Sequence, residues 1–322
     1  MVADTKIQAA NAVADKYSEL THYTSAAGLT GILATQSLWA THASFLNDAE
    51  EIKLFFDRRL AQIIEEELNS ASQPSDPASV RIVAAQFAAS IRKVTLAFNQ
   101  AYIFSMCATT NERTARNGLL SQWRGYGKDG GYAIVFDTKG LENRLTQEND
   151  MFHYQHMQWG DVHYYDASSG ATQVAPEILE AESNLRAGIS AFARDPSPDV
   201  MQSTYVAVTT LSCLYKHWGF AEECEVRVIA IPAHSTIRAA TISDQETVKI
   251  PKTYVRDGCP VPYIELFAPA PESVSRALLP IRRVIVGPHR DRQQRKEAVE
   301  LILEELGMKA TVEVSEIPYI GK

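Results

Sequence analysis

Apolar positions along the chain follow two periods, and together they predict an alternation of helices and strands without strict order. Helical spacing predicts a first helix over Lys6 to Leu20, followed by a short strand at Thr21-His22-Tyr23-Thr24. Ser25 is placed to cap a second helix carrying Leu29, Ile32 and Leu33. A strand at 38–41 precedes a longer helix that Asn47 and Asp48 open, with Ile52, Phe55, Phe56, Leu60, Ile63 and Ile64 along one face. The Pro- and Asp-containing stretch 69–79 reads as a loop, and 79–99 as a further helix. Strands are predicted at 102–106 and 132–136, with a polar segment 109–131 between them, and at 162–165. Helices around 172–192 and 199–216 are separated by Asp195-Pro196-Ser197-Pro198. Beyond Glu222 the pattern turns to strands at 225–231, 247–250, 261–267 and 281–286, then a helix 291–306 and a strand 310–315. This mixture predicts the α+β class. The organisation expected is an N-terminal helix over 1–20 and one domain over 21–322, with a helical insertion at about 170–216.

Composition narrows the class without identifying it. The chain has 322 residues, 45% hydrophobic and 22% charged, enough to exclude wholesale disorder and to build a sizeable core. A formal net charge of −8 argues against a broad phosphate-binding surface. No stretch approaches the roughly 20 apolar residues of a membrane span, and Met1 to Asp15 lack the apolar run of a signal peptide. Four scattered cysteines, none at metal-ligand spacing, are expected to be reduced. The expectation is a soluble cytoplasmic protein with no membrane partner.

Four segments are polar and aromatic where a core would be apolar. They are Thr21 to Ser25, Phe45 to Glu50, Ser121 to Gly127 leading through Gly130-Gly131 into a strand, and Lys216-His217-Trp218 followed by Glu222 to Arg227. Plain structural roles compete at each. Glu223 and Glu225 fit the solvent face of a strand, where a period of two would place them together. Trp123 and Trp218 fit core or rim aromatics, Asn47-Asp48 a helix cap, and the glycines a turn matching neither dinucleotide nor P-loop pattern. His153, His156 and His163 lack the helical spacing of a metal site. The arginines at 282, 283, 290, 292 and 295 fit a solvated face or a phosphate patch.

The chain resembles a bacterial family catalogued as domain of unknown function 2971, from about residue 20 to 320. The residues that carry the likeness are His22-Tyr23-Thr24, Leu46-Asn47-Asp48, Phe104-Ser105, Trp123 with Tyr126, Trp218, Glu223, Glu225-Val226-Arg227, Ile285 to Pro288 and Ser315 to Tyr319. The His-Tyr-Thr opening, a later Ser or aromatic strand and Glu223-Cys224-Glu225 are also similar to the layout of ADP-ribosyltransferases. That resemblance implies a split, mixed or antiparallel β core flanked by helices, with NAD as substrate. On that layout His22 would bind ribose hydroxyls, Ser105 would lie on the strand that packs the nicotinamide, and Tyr23 or Thr24 would meet the nicotinamide amide through the backbone. Asn47 would face the site, Trp123 and Tyr126 offer flat faces for stacking on a ring, and Arg124 could pair with pyrophosphate. Glu225 would stabilise positive charge on the ribose, and Glu223 would position or deprotonate an acceptor. The acceptor (protein, nucleic acid or water) stays open, and an inhibitory partner such as an antitoxin would fit a toxin or phage-defence role. Two other classes stay open: a nucleotide sensor without chemistry, and a metal-dependent hydrolase using Asp48, Glu50 and Glu225.

Overall fold

The computed structural model describes residues 11–46, 54–70, 77–98, 100–109, 111–126, 130–166, 175–233, 248–268 and 277–318. Ten strands make one sheet among these residues. They are β1 (Glu19–Thr24), β2 (Leu38–His42), β3 (Tyr102–Ala108), β4 (Tyr132–Asp137), β5 (Tyr154–Asp161), β8 (Glu225–Pro232), β9 (Lys252–Arg256), β10 (Cys259–Leu266), β11 (Ile281–Val286) and β12 (Thr311–Val314). Two further strands, β6 (His163–Tyr165) and β7 (Tyr215–His217), pair in parallel beside it. Within the sheet every pairing is antiparallel except β11 with β12. The fold is α+β, with a mixed, mostly antiparallel sheet flanked by helices.

β3 is the hub. Along one edge it pairs with β8 from Tyr102 to Cys107. Its other edge is shared: β1 takes only Cys107 and Ala108, and β2 takes only Tyr102 and Ile103. Between them, Phe104, Ser105 and Met106 have no ladder partner on that side among the described residues, so the sheet forks. β1 leads to β4, β11 and β12, and β2 leads to β10 and β9.

Alternation along the strands separates two faces. Leu20, Phe104, Met106, Ile134, Val226 and Val228 face a core covered by the helices Ala26–Thr35, Thr138–Met151 and Arg292–Glu305. On the opposite face Ile103, Ile229 and Ile231 pack under the helices Leu60–Ser70, Pro77–Phe98, Pro176–Arg194 and Pro198–Leu214. A small third core, Tyr23, Cys107, Trp123, Ala133, Val135 and Ile285, lies on this second face under the helix Leu120–Tyr126. A polar valley remains between those two groups, over the fork.

Several boundaries differ from the expectations. β1 begins at Glu19, so the first helix, described as Asn11–Lys16, does not reach Leu20. Residues 248–251 are irregular, and the strand expected there begins at Lys252. The polar segment 109–131 holds two short helices, Glu112–Asn117 and Leu120–Tyr126. Thr138–Met151 carries a charged, amphipathic helix that Asp137 caps by accepting from the Gly140 amide at 2.7 Å. Its buried Glu148 accepts from the Phe267 amide, Tyr154 and Lys249, tying this helix to β5 and to the end of β10. The C-terminal arginines form no open phosphate patch at Arg282 and Arg283, which pair with Glu19 and Asp137.

The turn into β4 uses glycine where nothing else fits. Gly130 and Gly131 have φ of 97° and 62°, a region that L side chains disfavour. A Cβ on Gly287 would lie 1.7 Å from the Gly130 carbonyl oxygen, a backbone atom that cannot swing away. Gly287→Ala is expected to cost at least about 1–3 kcal/mol of stability, read as a lower urea midpoint at unchanged m-value.

Candidate functional site

The polar valley holds a pocket of about 80 Å³ lined mainly from β1, β3 and β8, from β7 and from the turn between β7 and β8. β1 contributes Thr21, His22 and Tyr23; β3 contributes Ser105, Met106 and Cys107; β8 contributes Glu225 and Arg227. Lys216 and Glu223 close one side, and Leu46 and Tyr126 complete the lining. Residues far apart in sequence meet here because β3 separates β1 from β8, so one strand's width spans the gap.

Buried charge organises the floor. Glu225 is 5% exposed, Arg227 3% and Lys216 2%. The Glu225 carboxylate accepts from Arg227 Nε at 2.7 Å, Arg227 Nη2 at 3.0 Å and Lys216 Nζ at 3.0 Å. Ser105 adds a side-chain hydrogen bond. Those donors fill the roughly four lone-pair sites of a carboxylate. Burial alone would raise the Glu225 pKa, but the Arg227 and Lys216 cations outweigh it and hold the carboxyl at about 2. Arg227 also donates to the Cys213 carbonyl at 2.6 Å, at the end of the Pro198–Leu214 helix, where the helix dipole favours a cation. The Glu225 amide donates to Tyr164 Oη at 2.7 Å, joining β6 to the cluster.

Glu223 reaches the cluster by a different route from the one strand periodicity predicts. β8 begins at Glu225, Glu223 ends a 3₁₀ turn, and Cys224 between them takes a left-handed φ of 44°. Lys216 Nζ joins the two carboxylates, donating to Glu223 Oε2 at 2.8 Å. Glu223 is the outer of the pair, with a side chain 14% exposed against 5% for Glu225.

His22 works at the fork. Its Nδ1 lies 2.9 Å from the Ser105 carbonyl oxygen. A carbonyl only accepts, so Nδ1 carries the proton, and Nε2 is left as an acceptor in the neutral ring. The ring lies 4.4 Å from that of Phe104, and burial pushes its pKa down to about 4. Burial likewise pushes the Cys107 thiol and the Tyr23 and Tyr164 phenols up, so all three are protonated at neutral pH.

The other expected residues divide. Tyr126, 43% exposed, is at the mouth. Tyr23 lines the wall, but its Oη accepts from the Leu119 amide and its ring packs edge-on against Trp123. Trp123 is 1% exposed, donates to the Asn117 carbonyl and lies outside the lining, so its faces are used by the core and not by a ligand. Arg124 points outward and Thr24 packs near Gly28; neither lines the pocket. Asn47, Asp48 and Glu50 lie outside the described residues. Lys216 and Arg227 are the additions; their signal was a basic residue at a strand end and one alternating with Glu225 within an otherwise apolar strand. Among the described residues no group of three or more His, Cys, Asp or Glu is arranged to hold a metal ion. His156 bonds Gln158 and His163 packs on Tyr215.

Removing one member of a buried charge cluster leaves the others uncompensated. Arg227→Met is expected to destabilise the protein by about 3–5 kcal/mol, and adding Glu225→Leu to recover much of it; chemical denaturation of the single and double variants measures both. Acid sensitivity follows from His22. Its folded pKa lies below the ordinary 6.5, so the unfolded chain takes the proton first. The associated stability is complete above pH 6.5 and is lost as pH falls toward 4. His22→Asn, which keeps a donor for Ser105, is expected to flatten the change in urea midpoint between pH 7 and pH 5.

No curated protein and no solved structure matches the chain. One family model does, over a segment that begins in the Leu120–Tyr126 helix and ends within β8. The segment includes Tyr126, Lys216, Glu223, Glu225 and Arg227 but leaves out His22 and Ser105. Over residues 122–228, about a third of its length, the chain matches the model of a family described as protein of unknown function, DUF2971.

Proposed function

We propose that the pocket binds the nicotinamide-ribose end of NAD and breaks its N-glycosidic bond, releasing nicotinamide and passing ADP-ribose to an acceptor or to water. The observation that carries this reading is the meeting of His22, Ser105 and the Glu223–Glu225 pair in one pocket from three separate parts of the chain. Size supports only part of the substrate entering: about 80 Å³ is well below the roughly 300–1,000 Å³ of pockets that enclose a whole drug-sized ligand. A ring or a ribose fits, and the rest of the dinucleotide would lie outside.

Each residue has a defined task in this reaction. Neutral His22 accepts a hydrogen bond from a ribose hydroxyl through Nε2. As the bond breaks, its electron pair leaves with the nicotinamide nitrogen and positive charge develops on the ribose, as in glycoside cleavage. Glu225, kept ionised by Arg227 and Lys216, supplies the opposing charge without competing for a proton. Glu223, the outer carboxylate, takes the acceptor's proton as the acceptor oxygen or nitrogen bonds to the ribose carbon. Lys216 holds the two carboxylates in register.

A second reading has its own observation. All four acceptor sites of Glu225 are taken, which suits a pocket that binds a nucleotide and performs no chemistry. Nicotinamide release separates the two. Purified protein, alone and with cell lysate as acceptor source, is expected to release nicotinamide from NAD. Glu223→Gln is expected to slow release about 10²–10⁴-fold with little change in KM. NAD binding by calorimetry without release would leave the binding module, and neither binding nor release would overturn both.

A further inference from the structure

A larger cleft opens elsewhere on the same face of the sheet, between β5 and the helices Pro176–Arg194 and Pro198–Leu214. Its volume is about 460 Å³, several times that of the pocket at the fork, and within the range that encloses a small metabolite. Small side chains make the floor: Ala181, Gly188 and Ala207 are buried there beside Met157. The two helices touch closely at Gly188, where an added Cβ would lie 2.2 Å from Thr204 Oγ1.

Two polar atoms in the lining are buried without a hydrogen-bond partner, Gln158 Nε2 and Thr210 Oγ1. Thr210 is only 2% exposed. Buried polar groups are nearly always paired in native proteins, so two orphans beside one cleft point to a partner that completes them. Their neighbours define its chemistry. His156 Nε2 lies 2.8 Å from Gln158 Oε1, which occupies the acceptor end of that amide and leaves its NH₂ to donate. Ser203 and Thr204 both donate their hydroxyl protons to the Val200 carbonyl, so toward the cleft they offer lone pairs. Glu180 adds a carboxylate, and among the described residues no Lys or Arg lines the cleft.

The site therefore offers lone pairs at Ser203 and Thr204, donors at the Gln158 amide and the Thr210 hydroxyl, and an Asn184 amide that can do both, with no lysine or arginine charge among the described lining residues. An anionic ligand is disfavoured. A ligand is wanted that brings several N–H donors, at least one ring or carbonyl acceptor for Gln158, and a flat body that small residues can flank. We infer that this cleft is a second binding site, for an uncharged amino-substituted heterocycle of the nucleobase or nucleoside type, without phosphate. It stands apart from the reading of the pocket at the fork, because none of its residues lines that pocket.

Calorimetry and thermal melting with adenine, adenosine, cytosine and AMP test it on the full chain. Adenine, adenosine or cytosine is expected to bind and raise Tm, and AMP to bind at least about tenfold more weakly than adenosine. Thr210→Val preserves volume while removing the unpaired hydroxyl, so it is expected to fold at least as stably yet lower affinity about tenfold. Gln158→Leu is expected to do the same, and His22→Asn to leave affinity unchanged. Absence of binding by all four probes at millimolar concentration would overturn the proposal, and the cleft would then hold water only. AMP binding as tightly as adenosine, or binding that survives both cleft variants but not His22→Asn, would also overturn it.

Discussion

A carboxylate with almost no access to water must be surrounded by donors, and three residues supply them to Glu225 while a fourth holds its backbone. Arg227 comes from its own strand, Lys216 from β7, Ser105 from the neighbouring β3, and Tyr164 accepts from its backbone amide. An uncompensated charge at that depth would cost several kcal/mol. The compensation therefore dictates geometry well beyond the pocket. It fixes how the Pro198–Leu214 helix ends, through Cys213, and where the chain turns before entering β8. The left-handed Cys224 follows from that turn, since Glu223 and Glu225 must both reach Lys216 Nζ from a bent segment.

The fork of the sheet poses the complementary problem. Where β1 and β2 part, the middle of β3 loses its ladder partner, and buried backbone groups cannot be left without one. His22 answers it with a side chain in place of a strand, donating from Nδ1 to Ser105. A histidine serves two purposes there: one ring nitrogen repairs the sheet and the other is left as an acceptor. Burial keeps the ring neutral, which preserves that division of labour at neutral pH.

Much of this was legible in the sequence, for physical reasons. Strands such as Tyr132–Asp137 and Ile281–Val286 are apolar runs with β-branched residues, and their position follows directly from pattern. The helix Thr138–Met151 was not, because its exposed face is so charged that its buried Leu141 and Leu145 form too thin an apolar stripe. His22, Ser105 and Glu225 were recognisable as chemistry-bearing residues, and they do meet in one pocket. Trp123 was open to two readings, a stacking surface or a core aromatic, and the hydrogen bond of its indole to Asn117 lets the core absorb it. Lys216 and Arg227 stood in the segments marked as polar, but their role as the cations that hold Glu225 ionised comes from burial and side-chain pairing, which the pattern along the chain does not reveal.

The pocket's construction also governs when in the life of the chain it exists. His22 and Ser105 are separated by 83 residues, and the ionic floor beneath them is supplied from β7 and β8, more than a hundred positions further along. Contacts of that range form slowly and only after the intervening chain has collapsed around them. During synthesis β1 and β3 emerge with neither Glu225 nor Lys216 available, so nascent and truncated chains carry the histidine without the carboxylates. The assembled pocket is therefore withheld until translation has passed β8. The order of strands in the sequence thus acts as a timer on the site as well as a blueprint for its shape.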